Sequence, residues 1–170
     1  LANSGNLALH RRLGWIGLLL ALMIAPLGAY TGQMAVVAGR VPPIFSDPYF
    51  LALTYIEGTV FTGTVVWAIA MRSKTEWHRR LMLAALVVIM EPALGRLLPV
   101  PLLGVWHEWT VMAVQLAVLG IAMRHDQNFT GRVHPALWWG SAIVVAVHAA
   151  IVLSARSPVV VAYAQALAAR

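Results

Sequence analysis

Residues Glu76 to Pro99 read EWHRRLMLAALVVIMEPALGRLLP, and this stretch decides how the rest of the chain is interpreted. A basic cluster at residues 78–80 opens it, and a strongly apolar run of helical length follows. Glu91, Pro92 and Arg96 lie inside that apolar run. A carboxylate is unfavourable in such surroundings unless it has a partner, so an acid at this depth indicates a functional site.

The composition indicates a membrane protein. The chain has 170 residues, of which 61% are hydrophobic and 11% charged, with a mean hydropathy of +0.78. Soluble domains carry about a quarter charged residues. The net charge of +6 lies in short basic clusters between apolar runs, which favours contact with lipid headgroups over nucleic acid. The absence of cysteine excludes disulfides and thiolate metal sites.

The apolar runs predict an all-α integral membrane bundle of five transmembrane helices, since a span needs roughly 20 residues. The predicted spans cover residues 13–37, 49–71, 81–100, 105–123 and 135–155. Pro99 and Pro101 predict a tight turn between the third and fourth spans. Residues 157–170 are too few to cross a bilayer, and we expect a short helix at the interface.

The distribution of Lys and Arg predicts the orientation. With the amino end inside, the inner loops hold eight of these residues and the outer side holds four. The positive-inside rule then places the amino end inside, in a bacterial inner membrane. The lipid bilayer is the expected partner, and other membrane subunits or a homo-oligomer remain open.

Three histidines stand where helices enter from the predicted inner side: His10, His78 and His134. They have two interpretations. Basic and aromatic residues commonly anchor helix ends at the interface. Alternatively, these inner-leaflet histidines bind a cofactor propionate or a lipid headgroup.

The Glu, Arg and His residues within the spans all fall in the predicted outer half of the bundle. A rise of about 1.5 Å per residue places several of them roughly 10–13 Å from the outer helix ends. They come from four helices: Glu57, Glu91, Arg96, His107, Glu108 and His148. Lone charges are costly at this depth, so protonation, a bound cation or water must offset them.

Carboxylates and imidazoles together are the ligands of zinc, iron and copper, and two facing histidines can hold haem iron. His107 and His148 are therefore candidate haem b ligands, and Arg96 is the expected charge partner. The candidate metal ligands are Glu57, Glu91, His107, Glu108 and His148. Structural roles stand beside these: an ion pair of Glu91 with Arg96, solvation of His107 and Glu108 at the interface, and packing of His148.

Three functions follow from this pattern. The favoured one is a redox role of a bound metal ion or haem b, without a defined enzymatic reaction. The second is a structural or assembly subunit of a larger membrane complex. The third is a proton-coupled carrier that uses Glu57 and Glu91, although the five spans show no clear inverted repeat.

Three motifs carry a resemblance: ALHRRLG at residues 8–14, WHRRLM at 77–82 and GRVHP at 131–135. Together they resemble a family of small bacterial multi-pass inner-membrane proteins without assigned activity. The resemblance implies the multi-pass fold and no substrate. A further helix usually precedes the first motif in such proteins, so we expect an additional first span. The stretch after Gly140 departs from the family pattern, which favours a specialised role for His148.

Overall fold

The computed structural model describes residues 7–98 and 103–170, and within these ranges the chain is all-helical, without strands. This confirms the predicted all-α class. A short 3-10 turn, Gly104–Trp106, precedes the fifth helix. The seven α-helices of the described ranges are α1 Leu7–Val37, α2 Asp47–Ala70, α3 Thr75–Val88, α4 Glu91–Leu97, α5 His107–Thr130, α6 Pro135–Ala155 and α7 Pro158–Ala168.

Three helices are long and apolar enough to cross a membrane, namely α1, α2 and α6. They correspond to the first, second and fifth predicted spans. The helix α5 is 24 residues long, but its last turns carry polar side chains that lower its hydropathy. It continues beyond the predicted end at residue 123 and stops at Gly131, whose φ of 72° is the left-handed conformation that favours glycine.

The third predicted span is not one helix. It divides into α3 and α4, with a turn at Ile89 and Met90. Pro92 explains the break, because proline has no backbone N–H and its ring clashes with the carbonyl four residues earlier. Pro92 instead takes a position in the first turn of α4, where no N–H is needed. The end of this span and the turn predicted at Pro99 and Pro101 lie outside the described residues.

The freed carbonyl has a replacement partner. Val88 stands four residues before Pro92, and its oxygen accepts a hydrogen bond from Gln115 Nε2 at 3.4 Å. Gln115 lies on α5 and is 1% exposed. A buried carbonyl without a donor is unfavourable, so this contact couples the break in α3 to α5.

The bundle is organised around α2, which packs against α1, α3, α6 and α7. The main core forms between α1, α2, α3, α5 and α6. Its fully buried members include Leu119, Leu137 and Ile151. The short helix α7 packs its Ala164 and Leu167 against Val36 and Leu51, where α1 ends and α2 begins.

Glycines set the closest approaches between helices. Gly28 and Gly32 face α2, and a Cβ at Gly32 would collide with the Thr54 side chain. The Gly-x-x-x-Gly spacing thus marks a helix contact. On α6, a Cβ at Gly140 would lie 2.8 Å from the Ala84 Cβ of α3, well inside van der Waals contact.

Gly140→Ala is therefore expected to destabilise the protein by about 1–3 kcal/mol, because α3 and α6 must separate to admit one methyl group. Gly63→Ala is the matched control, since no described atom lies within 4 Å of its added Cβ. Unfolding in detergent micelles, followed by circular dichroism, measures both. Equal stability of the two variants would contradict the close contact.

Candidate functional site

The structure brings five of the predicted outer-half residues together at one end of the bundle. We refer to this set, Glu57, Glu91, His107, Glu108 and His148, as the Glu91 cluster. The side chains come from α2, α4, α5 and α6. Every one is buried, with at most 7% of the residue exposed.

One part of the Glu91 cluster is a chain of hydrogen bonds centred on His148. Its Nδ1 lies 2.6 Å from Glu108 Oε1, and its Nε2 lies 2.7 Å from Gln115 Oε1. The Tyr49 hydroxyl donates to the other oxygen of Glu108. Both contacts of the ring are to side-chain oxygen atoms, so His148 is bonded on both sides to side chains of α5.

The other part of the cluster lacks such partners. The Glu57 and Glu91 carboxyl groups are neighbours in the wall of one cavity and interact with each other. Apart from this mutual contact, no donor in residues 7–98 and 103–170 reaches Glu57 Oε1 or either oxygen of Glu91. The ring nitrogens of His107 likewise have no hydrogen-bond partner there. Two carboxyl groups can bond to each other only when they hold a proton between them.

His107 lies next to this acid pair and in the wall of a second, smaller cavity. Its Nε2 is 3.9 Å from Glu91 Oε1, which is longer than a hydrogen bond. The Phe45 ring lies beside the imidazole, with 5.8 Å between the centroids. His107 is thus a buried titratable group with both nitrogens free, next to two carboxyl groups.

Two cavities adjoin the Glu91 cluster. The large cavity has a volume of about 510 Å³, and Glu57 and Glu91 lie in its otherwise mainly apolar wall. The small cavity has about 200 Å³ and contains Tyr49, His107 and Glu108 in its wall. Ile44 and Phe45, in the loop between α1 and α2, separate the two volumes, since they line both.

Arg96 is in the wall of the large cavity but does not reach the acids. Its guanidinium donates to the carbonyl of Pro92, one turn earlier in α4. The side chain is exposed, unlike the members of the Glu91 cluster. Among the described residues no ion pair joins Arg96 to Glu91, so the acid pair has no arginine partner within this part of the chain.

The geometry of the described residues does not support the expected metal site. Within the described part of the chain, no three His, Asp or Glu side chains are grouped so that they could hold a metal ion. Both nitrogens of His148 already contact side-chain oxygens, so a metal or a haem iron would have to displace one of these hydrogen bonds. His107 is the histidine of the cluster whose nitrogens are free.

A second polar group lies at the opposite end of the bundle, and we refer to Glu76, Arg80, Asp126 and His134 as the Arg80 cluster. Arg80 Nε donates to Asp126 Oδ2 at 2.8 Å, and Nη2 donates to Oδ1 at 2.5 Å. Arg80 also pairs with the exposed Glu76 carboxylate. The backbone N–H of His134 donates to Asp126 at 3.2 Å, so this aspartate joins α3, α5 and the start of α6.

Charge and burial shift the titration of this second group. The hydrogen bonds from Arg80 hold the pKa of Asp126 below its ordinary range. The same bonds raise the pKa of Arg80. Burial lowers the pKa of His134, so the folded protein holds this imidazole neutral.

The three predicted anchor histidines lie at this same end. His78 Nδ1 donates to the carbonyl of Ala68 at 2.7 Å, in the last turn of α2. His134 Nδ1 accepts from the Ala136 N–H at 3.2 Å and caps α6. The rings of His10 and His78 are 6.5 Å apart. The contacts of His78 and His134 are those of helix ends, which fits the anchoring interpretation.

Sequence reasoning overlooked four residues of these sites: Tyr49, Arg80, Gln115 and Asp126. The sequence does contain a signal for Asp126, since it is an acid among the polar residues between the fourth and fifth predicted spans. Arg80 was counted as a loop charge, although it is 5% exposed. Nothing in the sequence near Tyr49 or Gln115 pointed to Glu108 or His148.

Comparison with known proteins yields no assignment. No protein-family model matches the chain, and no curated protein or solved structure matches it either. The chemistry of the Glu91 cluster and its cavities is accordingly the basis for function.

Proposed function

We propose that this protein is a multi-pass inner-membrane carrier in which the Glu57–Glu91 pair holds a proton and exchanges it for a ligand. The observation that supports this is two buried, neighbouring carboxyl groups in the wall of a cavity of about 510 Å³, whose buried oxygens lack a hydrogen-bond donor among the described residues. Carboxylates that share a site cannot both remain ionised at low cost.

The proposal includes the five-span topology. The helices α1, α2 and α6 are three spans, the α3–α4 pair is the broken third, and α5 is the fourth. With the amino end inside, the Arg80 cluster faces the cytoplasm and the Glu91 cluster faces the outside. Broken helices in transporters commonly lie where they line a cavity, and α4 lines the large cavity here.

His107 is the proposed route for the proton. It lines the small cavity, and its Nε2 is 3.9 Å from Glu91 Oε1. Both nitrogens are unpartnered within the described ranges, so the ring can take a proton from one side and give it to the other. A histidine bonded on both sides, as His148 is, would have to break a bond first.

Infrared spectroscopy of the protein in liposomes tests the proton site. At neutral pH we expect the carbonyl band of a protonated carboxyl group, which shifts in heavy water and declines as the pH is raised. The double variant with Glu57→Gln and Glu91→Gln should lose the band, since both carboxyl groups are gone. Glu76→Gln, at an exposed carboxylate, should keep it.

A wild-type protein without the band at neutral pH would refute the proposal. So would a band that survives in the double variant. A band that responds neither to pH nor to heavy water would identify a structural acid rather than an exchanging one.

A second candidate, a redox site for a metal ion or haem b, rests on the two free nitrogens of His107 beside Glu91. Elemental analysis of the purified protein for iron, copper, zinc and manganese separates it from the carrier. A stoichiometric metal that is lost in His107→Ala would favour this candidate. Absence of all four metals would leave the carrier and the structural subunit.

A further inference from the structure

We infer that the large cavity binds an organic primary amine, with its ammonium group on the Glu57–Glu91 pair and an apolar body against the remaining wall. This inference rests on the proposed proton site and adds the chemical class of the ligand. A volume of about 510 Å³ lies within the roughly 300–1,000 Å³ of small-molecule sites.

The wall of the large cavity divides into two kinds of surface. Most of it is apolar, with side chains such as Ile24, Phe50, Leu53 and Ile89 from α1, α2 and the break after α3. Glu57 and Glu91 are the two acids of the wall, and each residue is more than nine-tenths buried. A matching ligand is therefore amphipathic, with donors on one end.

The pairing of the acids favours a monocation. Glu108 already has a partner in His148, whose Nδ1 lies 2.6 Å from it. Within the described ranges, the buried carboxyl oxygens of the cluster without a hydrogen-bond partner belong to Glu57 and Glu91. When an ammonium ion binds and one proton leaves the pair, the net charge of the cavity is unchanged.

The unpartnered hydrogen-bond acceptors of the two acids also favour an ammonium group. An ammonium group has three N–H donors for the acceptor atoms that lack them, namely Glu57 Oε1 and both oxygens of Glu91. A hydroxyl group offers one donor and no charge. A carboxylate would be repelled by the pair and could meet only Arg96, whose guanidinium is turned to the Pro92 carbonyl.

The test uses three probes that share one apolar body: phenylbutylamine, phenylbutanol and phenylbutyrate. Binding to the protein in liposomes is measured by saturation-transfer NMR, and proton release by a dye in weak buffer. We expect the amine to bind at least roughly tenfold more tightly than the alcohol, about 1.4 kcal/mol. About one proton should be released for each amine bound.

Three variants keep the test specific. The Glu57→Gln and Glu91→Gln double variant should remove both the amine preference and the proton release. Gly95→Leu should block all three probes, since Gly95 lines the cavity and no described atom lies within 4 Å of its added Cβ. Gly120→Leu, which is equally unobstructed and lies outside the cavity wall, should bind like the wild type.

Each contrary outcome has one meaning. Preference for phenylbutyrate would make Arg96 the anchor and the ligand an anion, which overturns the inference. Equal binding of the three probes, or binding of none, also overturns it. If the infrared band is present while the amine is not preferred, the proton site stands and the ligand class fails.

Discussion

Asp126→Asn is expected to lower the free energy of unfolding by about 3–5 kcal/mol, because it leaves Arg80 buried without its carboxylate. Arg80 and Asp126 are 5% and 4% exposed. Arg80 keeps its contact with Glu76, which favours the lower end of this range. Denaturant or thermal unfolding in detergent, followed by circular dichroism, measures the loss.

Arg79→Gln is the matched control for Asp126→Asn. Arg79 pairs with Glu76 at 2.7 Å, but both side chains are more than half exposed. Solvent-exposed pairs contribute about 0–1 kcal/mol, so this variant should remain close to the wild type. A loss of similar size in the two variants would show that burial of the Arg80 pair contributes little.

The pH dependence provides a second measurement on the same variant. Because Arg80 lowers the pKa of Asp126 in the folded protein, this carboxylate adds stability above the ordinary aspartate pKa of about 3.9. That stability disappears as the pH falls through the lower folded-state pKa. The wild type should therefore lose stability below about pH 4, and Asp126→Asn should lack this step.

His134 contributes at higher pH. Burial lowers its pKa, so protonation favours the unfolded state once the pH drops below about 6.5. This earlier loss should be present in both proteins, which separates it from the Asp126 step.

His148→Ala is the second change with a large expected effect. It deletes a side chain that is 1% exposed and leaves buried Glu108 and Gln115 without their bonds to the ring. A new cavity and an unpaired buried carboxylate together should cost about 3–5 kcal/mol. The measurement is again unfolding in detergent micelles.

His125→Ala is the control for that variant. His125 is exposed and stacks on Phe129, at 4.4 Å between centroids. Its removal should change stability by no more than about 0.5 kcal/mol. If His148→Ala were equally mild, the hydrogen-bonded chain would not support the bundle, and the ring would be free for ligation.

Much of the fold could be predicted from apolar run lengths. The apolar runs predicted the bounds of α1, α2 and α6 to within a few residues. The exception is the start of α1, which lies earlier than predicted, at Leu7. The break at Ile89 and Met90 could have been predicted from Pro92 alone, since its clash with Val88 is local. The extension of α5 to Thr130 could not, because the polar residues of its last turns are typical of a loop.

Which residues belong to the candidate site could be predicted from the sequence. Which of these residues pair with each other could not. Depth along each helix placed Glu57, Glu91 and His148 at the same end. Which acid faces which base depends on helix rotation, and a single sequence does not specify it. The expected Arg96–Glu91 pair is an example, because one turn of α4 directs the guanidinium to a backbone carbonyl instead.

The division of the third segment has a consequence for biogenesis. The helices α3 and α4 have 14 and 7 residues, and neither reaches the roughly 20 residues that insertion machinery recognises as a span. This segment also carries buried Arg80 and Glu91, which makes it a poor substrate for independent insertion. Under the proposed five-span topology we expect its insertion to depend on α2, α5 and α6, which would make assembly cooperative between segments made before and after it.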